Sequence, residues 1–445
     1  MLRLLACSTA SALAATFAVA QGGPSMPIRV TGPWSVAVGP GVVHLTGREI
    51  VLAAEVAFDV PPSPVIEVTG ETFAQLPLFN PNAGPWARGA KPSKLITEEC
   101  TATGCLLPES FVIRSADGAT YVLDQDYTLD GFWANFGRIE GGTIPADQPV
   151  LVDYRYSPHR LDSIVANERG AARLIVGEPN VGDMLPPTPA EGEVAIANLW
   201  VPGRAEQLTE ENLFPIEALP PLAVEPTAGR LLPKTLAKLR AGEEVKIVAW
   251  GDSVTCGGGV GADQSLWYQY RFQKRLQERF PRAKVTMVTA GWGGQSSGGY
   301  MAAPPGGTYD FKREVLDSKP DLVTIEFVND AGLNEEQTQT HYATIMEHMR
   351  SVPAEVILIT PHLVRPDWLG VTTLKFDDDP RPYVKGLRRF ARENDVALAD
   401  ASALWCRLYR QGIPYVTLEA NSINHPDVRG MDLFVEALMG VFPEG

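Results

Sequence analysis

The spacing of apolar residues changes character once along this chain, near residue 230. From about Ile28 to Tyr156 it has the short period of β-structure. Val150, Val152, Tyr154 and Tyr156 alternate with Leu151, Asp153 and Arg155, the pattern of a half-buried strand. Shorter runs at Val42 to Leu45, Glu49 to Leu52, Val65 to Val68, Phe111 to Arg114 and Tyr121 to Leu123 are separated by Gly, Pro, Asn and Asp turns. Strands of this length and spacing predict an all-β, sandwich-like domain over residues 27–177. Residues 178–230 are rich in proline and acidic side chains, with a few short apolar runs such as Val194 to Val201. That composition reads as a connecting region lying along the surface.

Beyond residue 230 strands and helices alternate. Pro233 opens a helix with Leu232, Leu236 and Leu239 on one face, and Gly242 closes it. The uninterrupted apolar run from Val245 to Trp250 then reads as a buried strand. Further strands are expected at Val285 to Ala290, Leu322 to Val328, Glu355 to Thr360 and Val396 to Ala399. Between and after them, helices are expected over Ser265 to Phe280, Asn334 to Arg350, Pro382 to Asn394, Ser402 to Tyr409 and Val428 to Met439. The first of these would bury Leu266, Tyr270, Leu276 and Phe280. Five apolar strands joined by helical crossovers imply a parallel sheet covered on both faces, an α/β domain over residues 231–445.

Composition narrows the partners. A net charge of −15 argues against nucleic acid, which requires basic patches. Met1 to Ala20 has a short basic start at Arg3, an apolar stretch and the small-x-small run Ala18-Val19-Ala20, as a cleavable secretory signal does. A secreted or periplasmic location is therefore expected, and no other stretch approaches a membrane span. Export permits disulfides, and Cys100 and Cys105 flank a small loop that one bridge would close. No metal-binding spacing appears, so no cofactor is implied.

The chemistry-bearing residues fall at the carboxyl ends of the predicted parallel strands, where α/β sheets present side chains to ligands. Ser253 follows the first strand. Gly291-Trp292-Gly293-Gly294 follows the second, Asn329-Asp330 the third, and His425-Pro426 precedes the last helix. Acyl transfer to water needs a nucleophile, a base and donors aimed at an oxyanion, and these positions supply each type. In this combination the sequence resembles the SGNH (GDSL-type) hydrolases, a superfamily of flavodoxin-like esterases and lipases. Gly251-Asp252-Ser253, Gly294, Asn329 and His425 match four of the family's blocks in order. The resemblance implies Ser253 as nucleophile, His425 as base, and Gly294 and Asn329 as oxyanion donors.

Two departures stand out. Phe327 occupies a place usually held by glycine and would narrow the pocket beside Asn329. The family also carries Asp three residues before its histidine, and here that residue is Ser422, preceded by Asn421. This implies a Ser–His dyad, with His425 oriented by a main-chain carbonyl or by the Asn421 or Ser422 side chain. Asp400, after the fifth strand, is the substitute acid to be weighed, against a simpler role as helix cap. Ser296 sits in a formal G-x-S-x-G, but Gly291 to Gly294 separate it from its strand, a poor place for a nucleophile elbow.

Other polar residues read more plainly. His341 and His348 lie off the apolar face of their helix and are expected in solvent. His362 either touches substrate or caps backbone, and Asp377 to Asp379 reads as a solvated loop. Trp34, Trp86 and Trp133 are either β-domain core or a sugar-stacking face. The expected activity is hydrolysis of a small-molecule or polysaccharide ester, perceived by analogy as deacetylation of carbohydrate. The alternative is a carbohydrate-binding or surface-adhesion protein with a degenerate hydrolase domain, and the missing acid keeps it open.

Overall fold

The computed structural model describes residues 26–444, apart from 46, 221, 223 and 224; the leader expected at residues 1–20 lies outside them. The C-terminal domain is built on a five-stranded parallel sheet of β1 (Glu244–Gly251), β2 (Lys284–Gly291), β3 (Leu322–Glu326), β4 (Glu355–Ile359) and β5 (Ala397–Ala399). Their order across the sheet is β2-β1-β3-β4-β5, the flavodoxin-like arrangement. Strand order reverses between β1 and β3, so the loops after these two strands diverge and leave a crevice.

Alternate residues of each strand feed the two cores. Val245 and Ile247 of β1 and Ile357 and Ile359 of β4 pack under α1 (Pro233–Ala241), α2 (Tyr268–Arg279) and α5 (Val428–Gly440). On the other face Val248, Trp250, Val323, Ile325 and Leu358 meet α3 (Glu335–Met349) and α4 (Pro382–Glu393). Burial on both sides explains why these strands read as unbroken apolar runs. Phe327 joins this second core, wholly buried with its ring 4.9 Å from that of Trp250, so it does not narrow a pocket.

Helix α2 starts at Tyr268, later than expected, and buries Tyr268, Gln269, Phe272 and Leu276 while Tyr270 stays half-buried. The two glutamines that interrupt its apolar pattern bind backbone. Gln273 donates to Val285 O at 2.8 Å and Gln277 to Ala283 O at 2.6 Å, which holds the entry to the edge strand β2.

The N-terminal half consists mostly of antiparallel strands, in two modules with separate cores. In one, Val36, Val38, Ile50 and Leu52 share a core with Ile164, Ile196, Leu199 and Val201. Between its two parts is inserted a second module, with Phe111, Ile113, Phe136, Val152 and Tyr154 at its centre. The reading of residues 178–230 as a surface connection is corrected here. Glu193–Val201 pairs with Arg160–Asn167 on one side and Leu213–Pro215 on the other, within a four-stranded sheet. Its flanking prolines masked a strand that is buried over most of its length. Asn198, on this strand, donates to Gly412 O at 2.7 Å and helps to join the two halves.

Cys100 and Cys105 do not pair, because they face different cores. Cys100 packs with Trp133 and Ile423, whereas Cys105 belongs to the core of the inserted module and lies 3.3 Å from His159 Nε2. Trp133 is core, and Trp34 packs against the core of the first module. Among the described residues no helix is long and apolar enough to cross a membrane.

Candidate active site

Chain reversal after β1 places Asp252 and Ser253 at the crevice. Asp252 is fully buried and serves as a tie. Its Oδ1 accepts the Val254 N–H at 3.1 Å, and its Oδ2 accepts both the main-chain N–H and the side-chain amide of Asn329, at 3.0 and 2.9 Å. Burial pushes its carboxyl up to about 6, against these hydrogen bonds and with help from the Asp330 charge. One amide proton of Asn329 is thus held by Asp252, and the other remains for a ligand. Asp330 turns inward and accepts from Ser297 N and Oγ and from Tyr342.

Ser253 Oγ lies 3.1 Å from His425 Nε2. The histidine is carried by a loop that Asn421 organises: its Oδ1 accepts the N–H groups of Ile423, Asn424 and His425 at 2.9–3.0 Å. His362, wholly buried, donates from Nε2 to Asn424 O at 2.7 Å, so its role is to hold this loop's backbone. Gly258 supplies room for the imidazole, since a Cβ there would lie 3.0 Å from His425 Cε1 and Nε2. Gly258→Ala should therefore displace the ring and lower kcat by about 10–100-fold with little change in Tm, as small misplacements at reacting centres do. Kinetics and thermal melting measured together check this.

The expectation of an uncharged acceptor behind His425 is overturned. Glu98 Oε2 stands 3.0 Å from His425 Nδ1, and Glu99 Oε1 is 3.4 Å away. Both come from the inserted β-module. Ile96–Thr97 and Cys100–Thr101 form a hairpin whose two-residue turn is Glu98-Glu99. Glu98 takes φ +54°, a left-handed conformation that such turns favour but that glycine, asparagine or aspartate normally fills. Its carboxylate is what this turn delivers. Oε1 of Glu98 accepts the Gly259 N–H at 2.8 Å, which locks the hairpin to the loop following Ser253. Asn421 Nδ2 donates to Glu99 Oε1 at 3.0 Å, holding the second carboxylate to the histidine loop.

The electrostatics follow from this geometry. Burial alone would lower the His425 pKa, but the hydrogen bond from Nδ1 to Glu98, with the charges of Glu99 and Glu98, raises it above the ordinary imidazole value. Burial conversely pushes Glu98 up, and its bonds to His425 and Gly259 win, leaving it below the usual carboxylate range. Glu98 is thus an anion and His425 a strengthened base.

The oxyanion candidates are open to solvent. Gly294 has φ +75° with no atom near where a Cβ would sit, and a Cβ on the adjacent Gly293 would lie 3.7 Å from Ser253 Cβ. Among the described residues neither the Ser253 nor the Gly294 N–H donates to a protein acceptor. Asn329→Ala should lower kcat by about 10²–10³-fold, the usual cost of one oxyanion donor. A modest fall in Tm should accompany it, because buried Asp252 loses one of its donors. A fall in Tm with unimpaired turnover would assign Asn329 a structural role alone.

Rival candidates have other work. Ser296 caps the short helix Ser297–Met301, its Oγ accepting from Gly299 N at 3.1 Å. Asp400 caps Ala401–Trp405 and pairs with Arg388 at 2.8 Å, so it does not serve His425. His341 is not free in solvent as expected; its Nε2 lies 2.6 Å from Ser297 Oγ. Asp379 is likewise wholly buried against Arg381 at 2.6 Å, not solvated. Burial, with the Asp252 charge, holds the Cys256 thiol above its ordinary pKa, so it is a poor nucleophile near neutral pH.

Glu98 is the candidate catalytic residue that sequence reasoning did not reach. Its only signal was negative, the absence of acid at Ser422. Nothing local distinguishes it among the chain's 53 acidic residues, and it is separated from His425 by 327 positions in sequence.

Residues 249–433 match the model of the GDSL-like Lipase/Acylhydrolase family. Among solved structures, a two-domain esterase active on acetylated mannans is similar at 22% identity, covering 50% of this chain and 56% of that one, with a TM-score of 0.40. This chain thus spans little more than half the length of that esterase. An α/β hydrolase enzyme from the metagenome of Lake Arreo, Spain, matches at 21% identity over 44% of this chain and 94% of that one, TM-score 0.35. An acetylxylan esterase from Geobacillus stearothermophilus matches at 20% over 45% and 95%, TM-score 0.34. No curated protein matches.

Proposed function

We propose, from the premise that residues 249–433 form a GDSL-type ester hydrolase domain, that this chain removes acetyl groups from polysaccharide through a Ser253–His425–Glu98 triad. One observation carries the reading: a nucleophile, base and carboxylate in line, at 3.1 Å and 3.0 Å. Ser253 Oγ attacks the ester carbonyl carbon while its proton passes to His425 Nε2. Glu98 stabilises the imidazolium and keeps the remaining proton on Nδ1. The tetrahedral oxyanion accepts from the Ser253 and Gly294 N–H groups and the free amide proton of Asn329. Collapse expels the alcohol, which takes the proton from His425, and leaves an acyl-Ser253. Water then attacks the acyl carbon, gives its proton to His425, and releases the acid with Ser253 restored.

A polymeric sugar as the alcohol is supported by the exposure of Gly294 and Asn329, which suits a chain lying across an open site, and acetate as the acyl group is proposed with it. Such a substrate lies outside the cell, in keeping with the export that we infer from the sequence of residues 1–20. The test is a hydrolysis screen over p-nitrophenyl acetate, longer acyl esters, acetylated xylan and acetylated mannan. Acetate release from the polymers is expected, with rates on p-nitrophenyl esters falling as the acyl chain lengthens. A preference for long acyl chains, or inertness toward both polymers, would overturn the substrate reading. The non-enzymatic alternative loses its support, because the acid absent from Ser422 is present as Glu98.

A further inference from the structure

Behind the loop that carries His425 lies a pocket of about 390 Å³, between the β-region and the C-terminal domain. Its volume falls in the roughly 300–1,000 Å³ range of small-molecule sites. Phe132 and Trp200 of the β-region face Arg365, Glu419 and Ser422 of the C-terminal domain across it. Ser422 stands three residues before His425, so an occupant would sit directly behind the catalytic loop.

The polar groups of this pocket are incompletely satisfied. Glu419 is 2% exposed, and neither of its carboxyl oxygens has a hydrogen-bond partner, with His362 Nε2 standing 4.0 Å from Oε2. Arg365, 5% exposed, stacks its guanidinium 5.3 Å over Phe132 and 4.2 Å over Trp133 and binds Asp367 through Nε, but Nη1 is unpartnered. Buried polar atoms left without partners are costly, and they mark where a ligand would contribute hydrogen bonds. Burial, with the nearby Asp427 charge, raises Glu419 well above the carboxylate range despite Arg381, which favours the protonated form, able both to donate and to accept. An anion would face the Asp367 carboxylate, a cation would face the Arg365 guanidinium, and a purely apolar group would leave the unpaired atoms of Glu419 and Arg365 buried. A neutral polyol with an apolar face satisfies all of them.

We propose that this pocket is a saccharide subsite, binding one neutral sugar unit of a chain against Phe132 and Trp200 with hydroxyls on Glu419 and Arg365. It rests on the polysaccharide reading for the identity of the polymer, and on the pocket alone for the class of ligand. A polymer held here would be anchored beside the triad without any of its acetyl groups being engaged.

The test is calorimetric titration of the full-length Ser253→Ala protein with short, unacetylated xylo- and manno-oligosaccharides. Saturable binding at one site per chain is expected. Phe132→Ala should weaken it about tenfold, the upper range for one aromatic contact. Glu419→Leu should weaken it about tenfold or more, while Glu419→Gln, which keeps a donor and an acceptor, stays within about threefold. Phe132 is 49% exposed, so its variant decides the matter if Glu419→Leu melts early. The proposal is overturned by an absence of binding, by binding indifferent to both losses, or by displacement of the neutral sugar by oligogalacturonate or octanoate. No hydrolysis enters this titration: failure here leaves turnover of p-nitrophenyl acetate standing, and failure of the esterase reading leaves the titration interpretable.

Discussion

Ser253→Ala is expected to reduce kcat for p-nitrophenyl acetate by a factor on the order of 10⁶, the loss seen when a serine hydrolase loses its nucleophile. No neighbouring group is placed to replace it. Cys256 is held as a thiol, and Ser296 spends its hydroxyl on a helix cap. Ser296→Ala should therefore retain most of the activity. Near-equal losses in the two variants, or a loss of activity at Ser296 alone, would remove Ser253 from the nucleophile's role. Intact-protein mass spectrometry gives a second reading: an acyl adduct trapped at low pH should form on wild type and be absent from Ser253→Ala.

The second large effect is at Glu98. Glu98→Gln should lower kcat by about 10³–10⁴-fold with Tm nearly unchanged, because an amide facing Nδ1 permits the wrong imidazole tautomer. With its nitrogen turned toward Nδ1, the side chain would leave the ring proton on Nε2, which then cannot accept from Ser253. Glu99→Gln should cost about tenfold or less, since Glu99 stands farther from Nδ1 and is bound to Asn421. Equal losses at the two positions would mean that the pair acts only as a diffuse negative charge.

The pH profile supplies an independent measure. His425 must be neutral to accept a proton, so kcat/KM should rise with pH as it deprotonates. Because its pKa is raised in the folded protein, the midpoint should lie above the ordinary imidazole value of about 6.5. Removing the Glu98 charge takes away the largest raising influence, so Glu98→Gln should shift that midpoint downward. An unmoved midpoint would mean that Glu98 and His425 are not in contact in solution.

The parallel sheet, its helices and three of the four loop blocks were legible because their signals are local. A strand buried on both faces must be apolar throughout, and the residues that bear chemistry follow directly on β1, β2 and β3. Nothing but succession is needed to bring Ser253, Gly294 and Asn329 to one edge. The β-region was legible as β, but the strand Glu193–Val201 was hidden by the prolines around it. Only the tertiary structure decided how the histidine is supported. The acid that the loop before His425 lacks is supplied by a hairpin turn from another module, brought in by the packing of Cys100 and Trp133 on Ile423. A contact spanning 327 positions leaves no periodicity and no spacing rule, and a glutamate in a turn looks like any solvated charge. The pocket at Glu419 is decided in the same way, by two surfaces that become a site only when the chain's halves dock.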